Sequence, residues 1–219
     1  MENKQNLLKN LELFVAILLG ITAVLTAWAS WQASLYGGNQ ATKYTKGIAL
    51  VGEANSLYNE AAQYIAQDMD IWNKICDLRI ELEFAEQNNN VEEIEKLEWK
   101  LEQIFVDNVT EELAAAIEWA DAQPEFASPF EKEGFIESYY EEANAIYEEG
   151  YATIEDGQRD NSLGDKLGLT TVIYAVVLFL LGIAASFEQI RTKIMIIILA
   201  IAGFVYATII MLSVPVLTL

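Results

Sequence analysis

The order of apolar and acidic blocks along this chain predicts an all-α integral membrane protein, with three transmembrane helices and an acidic helical-hairpin extracytoplasmic domain. Three observations carry that fold class. Of the 219 residues 53% are hydrophobic, yet they are gathered into blocks rather than spread at helical spacing. The stretches Leu13–Ala29, Leu167–Phe187 and Ile194–Leu219 contain no charged residue. Between the first two, Tyr36–Lys166 carries 30 Asp and Glu against 9 Lys and Arg, a net charge of −21.

A helix rises about 1.5 Å per residue and the hydrocarbon core of a bilayer is about 30 Å thick, so a crossing takes roughly 20 apolar residues. The second and third blocks meet that length, and the first meets it with Leu11 and Trp31 as flanks. The expected spans are residues 11–35, 167–187 and 194–217. The first block also fits a signal peptide, with Lys4 and Lys9 as its n-region and Ala27-Trp28-Ala29 as a small-x-small cleavage site. The expectation is a retained span. Lys4 and Lys9 precede span one, while Arg191 and Lys193 sit in the turn 188–193 between spans two and three. The positive-inside rule places both ends in the cytoplasm, giving a cytoplasmic N-terminus, 1–10, and an extracytoplasmic segment, 36–166, on a multi-pass plasma-membrane protein. Glu12 is positioned to meet Arg191 or Lys193 at the inner interface. Trp28, Trp31 and Tyr36 read as interfacial anchors at the outer boundary.

Within 36–166, Leu50, Ala54, Leu57, Ala61, Tyr64, Asp68, Ile71, Ile75, Leu78, Leu82 and Ala85 alternate spacings of four and three, which predicts one long helix with a coiled-coil-like seam. Gly37-Gly38 marks an expected kink or short interruption before that helix resumes near Gln40. Three asparagines, Asn88–Asn90, favour a turn, and Val91, Ile94, Leu97, Leu101 and Ile104 set a shorter helix running back. Asn108 with Glu111 reads as a capping box for the next helix, through Trp119. Pro124 and Pro129 break the pattern, after which Ile136, Tyr139, Ala143, Ile146 and Gly150 form a stripe leading into span two.

The run Ala27-Trp28, Trp31-Gln32-Ala33 and Gly38-Asn39-Gln40-Ala41 resembles the opening of a family of uncharacterised prokaryotic three-transmembrane-helix proteins with a helical extracytoplasmic insert after the first span. The resemblance extends to Ser128-Pro129-Phe130, to the Glu/Ala/Tyr-rich stretch around Glu141–Gly150, and to Asp165 leading into the second span. The acidic region Asn88–Gln103 departs from the family, and only Arg191 and Lys193 stand where many members carry an arginine-rich turn. The resemblance implies topology and no established activity.

Composition narrows the chemistry. The chain has no histidine, which excludes an imidazole base and any His-containing metal site. Its one cysteine, Cys76, excludes an internal disulfide and reads as a small core residue. No phosphate-cradling glycine loop and no nucleophile–base pair stands out, so no enzyme activity, cofactor or metal is expected. Asp156–Asp165 has the look of a calcium loop but not its residue order. The acidity argues against a nucleic-acid partner. Asn108-Val109-Thr110 is a glycosylation triplet, relevant only on an exported surface.

Asp68 interrupts an apolar seam, so it needs a partner such as Arg79 or Arg159, or a local solvent gap, or else a ligand or cation. Thr22, Thr26 and Ser30 recur every four residues and share one face of span one, either as a helix interface or as a pore lining. Ala29 with Ala33, Gly182 with Ser186, and Gly203 with Ala207 supply small pairs for close helix approach. Two functions follow as expectations. The first is a homo-oligomeric membrane assembly, extending to a cation-permeable channel below an acidic vestibule. The second is a membrane-anchored surface or accessory protein whose external helices bind a partner. Beyond membrane lipids and further copies of the chain, an external protein or a cation is the expected partner.

Overall fold

The computed structural model describes residues 2–187 and 189–218, with side chains from Lys9 onward. The side chain of Lys4, the turn's first residue Glu188, and Leu219 lie outside the described residues. The protein is all-helical, with 88% helix and no strand among the described residues. In chain order the elements are α1 (Glu2–Gln87), α2 (Val91–Asp107), α3 (Glu111–Asp121), a 3-10 turn (Pro129–Glu131), α4 (Phe135–Ser138), α5 (Glu141–Ser186) and α6 (Ile190–Leu212). Three of them, α1, α5 and α6, contain windows long and apolar enough to cross a membrane.

Two compact units result, residues 1–47 with 152–219, and residues 48–151. In the first, Val15 and Leu18 of α1 pack with Val177, Leu181 and Ala184 of α5 and with Ile197 and Ala200 of α6. A second cluster joins Ala29 and Tyr36 of α1 to Leu167 and Tyr174 of α5 and to Ala207 and Met211 of α6. Since early α1 meets late α5 and early α6, the α1 and α6 segments both run antiparallel to α5. The small residues allow the approach: Ala29 and Ala207 are fully buried, and a Cβ at Gly203 would lie 3.0 Å from Val177. Ala29 of the small-x-small triplet is thus part of a helix core. Gly182 and Ser186 face outward.

The helix α1 passes through Gly37-Gly38 without interruption, in place of the expected kink. Its flanks on both sides dock onto α5, which holds the intervening backbone helical. Tyr36 lies against Gly164, Lys43 pairs with Asp160 at 2.8 Å, and Tyr44 covers Gly157. The sequence Asp156–Asp165 is ordinary α5 helix. The third span also differs: its helix ends at Leu212 rather than reaching 217. Pro215 offers no N–H and disfavours helical backbone in the residue before it, so the helix stops just upstream.

In the second unit the asparagine turn forms as expected. Asn89 takes a left-handed φ of 54°, and the Asn90 side chain accepts from the Glu93 N–H to cap α2. The next cap is Thr110, not Asn108: the Thr110 hydroxyl accepts from the Leu113 N–H, while Asn108 closes α2. The spacing that suggested a box from Asn108 overlooked the helix end there. The seam buries Ala54, Ala61, Asp68, Ile75 and Ala85, whereas Tyr64 turns out to solvent. Trp72, absent from the expected stripe, anchors a core with Ile75, Leu113, Ala116, Ile117 and Phe135, against which Cys76 packs. Burial raises the Cys76 thiol pKa.

The continuity of α1 has a thermal consequence. A Cβ at Gly38 meets nothing within 4 Å, so Gly38→Ala is expected to stabilise the protein by about 0.5–1 kcal/mol in thermal melts in nanodiscs. At Gly157 a Cβ would fall 2.7 Å from the Tyr44 ring, so Gly157→Ala is expected to destabilise by roughly 1–3 kcal/mol. A loss of stability in Gly38→Ala would contradict an uninterrupted helix at this position.

Candidate functional site

The two units dispose of their polar side chains in different ways. In the first, the buried hydroxyls of Thr22, Tyr36 and Thr170 each donate to a backbone carbonyl, and that of Tyr174 pairs with the Thr208 hydroxyl. Thr22, fully buried, donates to Leu18 O at 2.7 Å, and half-buried Thr26 donates to Thr22 O at 2.7 Å. Ser30 is exposed, so the three residues do not form one accessible polar face. The anchors separate as well. Trp31 is exposed and Trp28 half-buried, but Tyr36 is buried and donates its hydroxyl to Pro215 O at 2.8 Å, which makes it a clamp on the C-terminal segment rather than a headgroup contact. Gln32 completes the clamp: its amide donates to Leu217 O at 3.1 Å and accepts from Leu217 N–H at 2.9 Å. Sequence reasoning passed over Gln32, although its spacing of three from Ala29 and four from Tyr36 puts it on the packing face. Of the expected inner pairs, Lys193 carries the contact. Its ammonium is buried and sits 3.4 Å from the Glu12 carboxylate, while Arg191 is exposed.

In the second unit one carboxylate is treated differently. Asp68 is 6% exposed on α1, and its Oδ2 accepts a hydrogen bond from the Tyr139 hydroxyl at the end of α4. Neither expected arginine serves it as the partner of that bond. Arg79 is engaged by Asp121 through two bonds of 2.7 and 2.8 Å, with its guanidinium 5.5 Å from the centre of the Trp72 ring. A planar, bidentate partner on α3 is the better match for a guanidinium, leaving the phenol for the carboxylate. Tyr139 stood in the stripe read from the sequence as a core position; a tyrosine on an apolar stripe was the available signal that a buried acceptor lay opposite.

Burial of the phenol, the bond to Asp68 and the nearby charges of Asp68 and Glu112 all raise the Tyr139 pKa. The phenol therefore stays protonated as a donor. Beside the pair opens a cavity of about 490 Å³, within the range of small-molecule sites. Its walls come from α1 (Tyr64, Gln67, Asp68, Ile71), from the α2–α3 junction (Asn108, Thr110, Glu112) and from the end of α4 (Ser138, Tyr139). The turn at Asn108 and the cap at Thr110 thus place polar groups in the cavity wall. Among the described residues no three His, Cys, Asp or Glu side chains are grouped to hold a metal ion.

Compared with models of known protein families, with curated proteins and with solved structures, the chain matches none. What its fold defines is a class: an all-helical protein with three helices long and apolar enough to cross a membrane, consistent with a membrane protein.

Removing the Tyr139 hydroxyl strands a buried carboxylate oxygen. Tyr139→Phe is expected to lower stability by about 1–3 kcal/mol in chemical denaturation. The folded phenol holds its proton more tightly than an unfolded tyrosine, so its contribution is complete below about pH 10 and is lost as pH rises further. The alkaline decline in stability should accordingly be shallower in Tyr139→Phe, and an unchanged decline would show that the phenol is not held by Asp68.

Proposed function

We propose that this chain is a membrane-anchored surface or accessory protein, whose helices α1, α5 and α6 hold it in a bilayer and whose acidic unit, residues 48–151, binds a ligand or partner on the extracytoplasmic side. The observation that carries the reading is the contrast just described. The Thr22 and Thr26 hydroxyls of the expected pore face are bonded to their own helix and Thr22 is fully buried, while the cavity at Asp68 is lined by polar side chains from three stretches of the chain.

Membrane anchoring is supported by the arrangement of the first unit, which exposes Leu13, Ile17, Val24, Val172, Phe179, Ile198 and Ile209 while burying Thr22, Gln32, Thr170 and Lys193. That ordering inverts the usual rule for water-facing surfaces and suits a lipid surround. Sidedness follows from the lysine and arginine placement, with the acidic segment opposite them. A second reading, self-association, has its own support in outward-facing Gly182 and Ser186, a small pair at helical spacing with open space beside Gly182.

Two measurements test the reading. In a Cys76→Ser background, a membrane-impermeant maleimide is expected to label Glu92→Cys in intact cells and Arg191→Cys only after permeabilisation. In proteoliposomes the protein is expected to give K⁺ flux no greater than protein-free vesicles. A flux abolished by Thr26→Leu would contradict the reading and establish the channel; labelling of Arg191→Cys in intact cells would reverse the orientation.

A further inference from the structure

We propose that the cavity beside Asp68 is a binding site for a small aliphatic ammonium ion. The proposal rests on reading residues 48–151 as a ligand-binding module and names the ligand class for it. The walls decide the charge. Two carboxylates, Asp68 and Glu112, line the cavity and no lysine or arginine does. The remaining polar side chains, of Tyr64, Gln67, Asn108, Thr110, Ser138 and Tyr139, are uncharged, and each carries an acceptor oxygen beside its donor. An anionic ligand would meet two like charges and no compensating cation in the lining.

Size and shape then separate an organic cation from a bare metal ion. Magnesium and calcium take six or more oxygens at about 2.0–2.6 Å, several of them from carboxylates in an all-protein site. The described residues contain no grouping of three metal-binding side chains. An alkylammonium needs less convergence: one carboxylate for its N–H donors, a few further acceptors, and apolar or aromatic surface for its methylenes. The cavity supplies each. Tyr139 occupies Oδ2 of Asp68, leaving Oδ1 for a second donor. The rings of Tyr64 and Tyr139 and the side chain of Ile71 supply the surface, and a cation over a phenol face gains further attraction. A carboxylate that is 94% removed from solvent loses most of its hydration on folding, so a cationic donor recovers there an interaction that exposed carboxylates elsewhere on the acidic surface already obtain from water. That difference makes the site selective rather than one more acidic patch. Glu112, exposed at the start of α3, attracts the second charge of a diamine.

The test is calorimetric titration of the full-length protein, in nanodiscs of zwitterionic phosphatidylcholine, with 1,4-diaminobutane. One saturable site per chain is expected, weakened about tenfold or more by Asp68→Asn and by Glu112→Gln. Glu148→Gln, at an exposed position away from the cavity, is expected to bind as the parent does. Glu112 is exposed, so its variant keeps the test informative even where Asp68→Asn fails to fold. Absence of a saturable heat, equal binding in Glu112→Gln, or displacement of the diamine by Mg²⁺ at constant ionic strength would overturn the site, the last by revealing diffuse attraction to the acidic surface. Such a failure, with Glu92→Cys still labelled from outside, leaves the anchored-module reading intact. Labelling from inside overturns that reading and not the cavity.

Discussion

A polar group taken out of water must find a partner inside the chain, and this requirement organises both units of the protein. In the helices long enough to cross a membrane it admits only side chains that can bond back to their own helix or to a neighbour. Thr22 and Thr26 do the first. Tyr174, 2.9 Å from the Thr208 hydroxyl, does the second. The Lys193 ammonium reaches Glu12, and the end of the chain is fastened because Gln32 and Tyr36 need its carbonyls as much as those carbonyls need donors. Where lipid is the solvent there is no other source of such partners. Packing of small residues and satisfaction of polar ones therefore act together to fix the register of α1, α5 and α6.

The same requirement gives the acidic unit its one unusual feature. Most of its carboxylates face water and impose nothing on the fold. Asp68 lies buried on the packing face of α1. A buried carboxylate costs stability unless its hydrogen bonds are supplied, and replacing such groups by apolar ones is often neutral or favourable. Tyr139 meets one of the two oxygens. The other oxygen lies beside an open space lined by further polar side chains, and this is the arrangement on which the proposed recognition role rests.

Much of the fold was legible in the sequence because it rests on strong periodic signals. Charge-free blocks located the three apolar helices, and the spacing from Leu50 to Ala85 located the long helix and most of its buried face. The asparagine turn and the proline loop also stood where local chemistry put them. The misses have a common origin in tertiary context. Gly37-Gly38 looks like a break in isolation and is helical because α5 lies alongside. Tyr36 looks like an interfacial aromatic and is buried because the segment after Pro215 turns back onto it. Asp68 could be recognised as exceptional from its place in the seam, but its partner could not, since Tyr139 is 71 residues away and an arginine is the commoner answer to a buried acid. The cavity itself depends on three separate stretches meeting, which no single periodicity records.

If the Asp68–Tyr139 bond organises the acidic unit, its two sides must open as one. Amide hydrogen exchange on the full-length protein in nanodiscs, comparing the parent with Tyr139→Phe, reads this. Matched protection is expected for the α1 segment around residues 64–75 and for residues 135–143 in the parent, with both losing protection together in the variant. Rapid exchange at 135–143 in the parent, while 64–75 stays protected in both proteins, would contradict it.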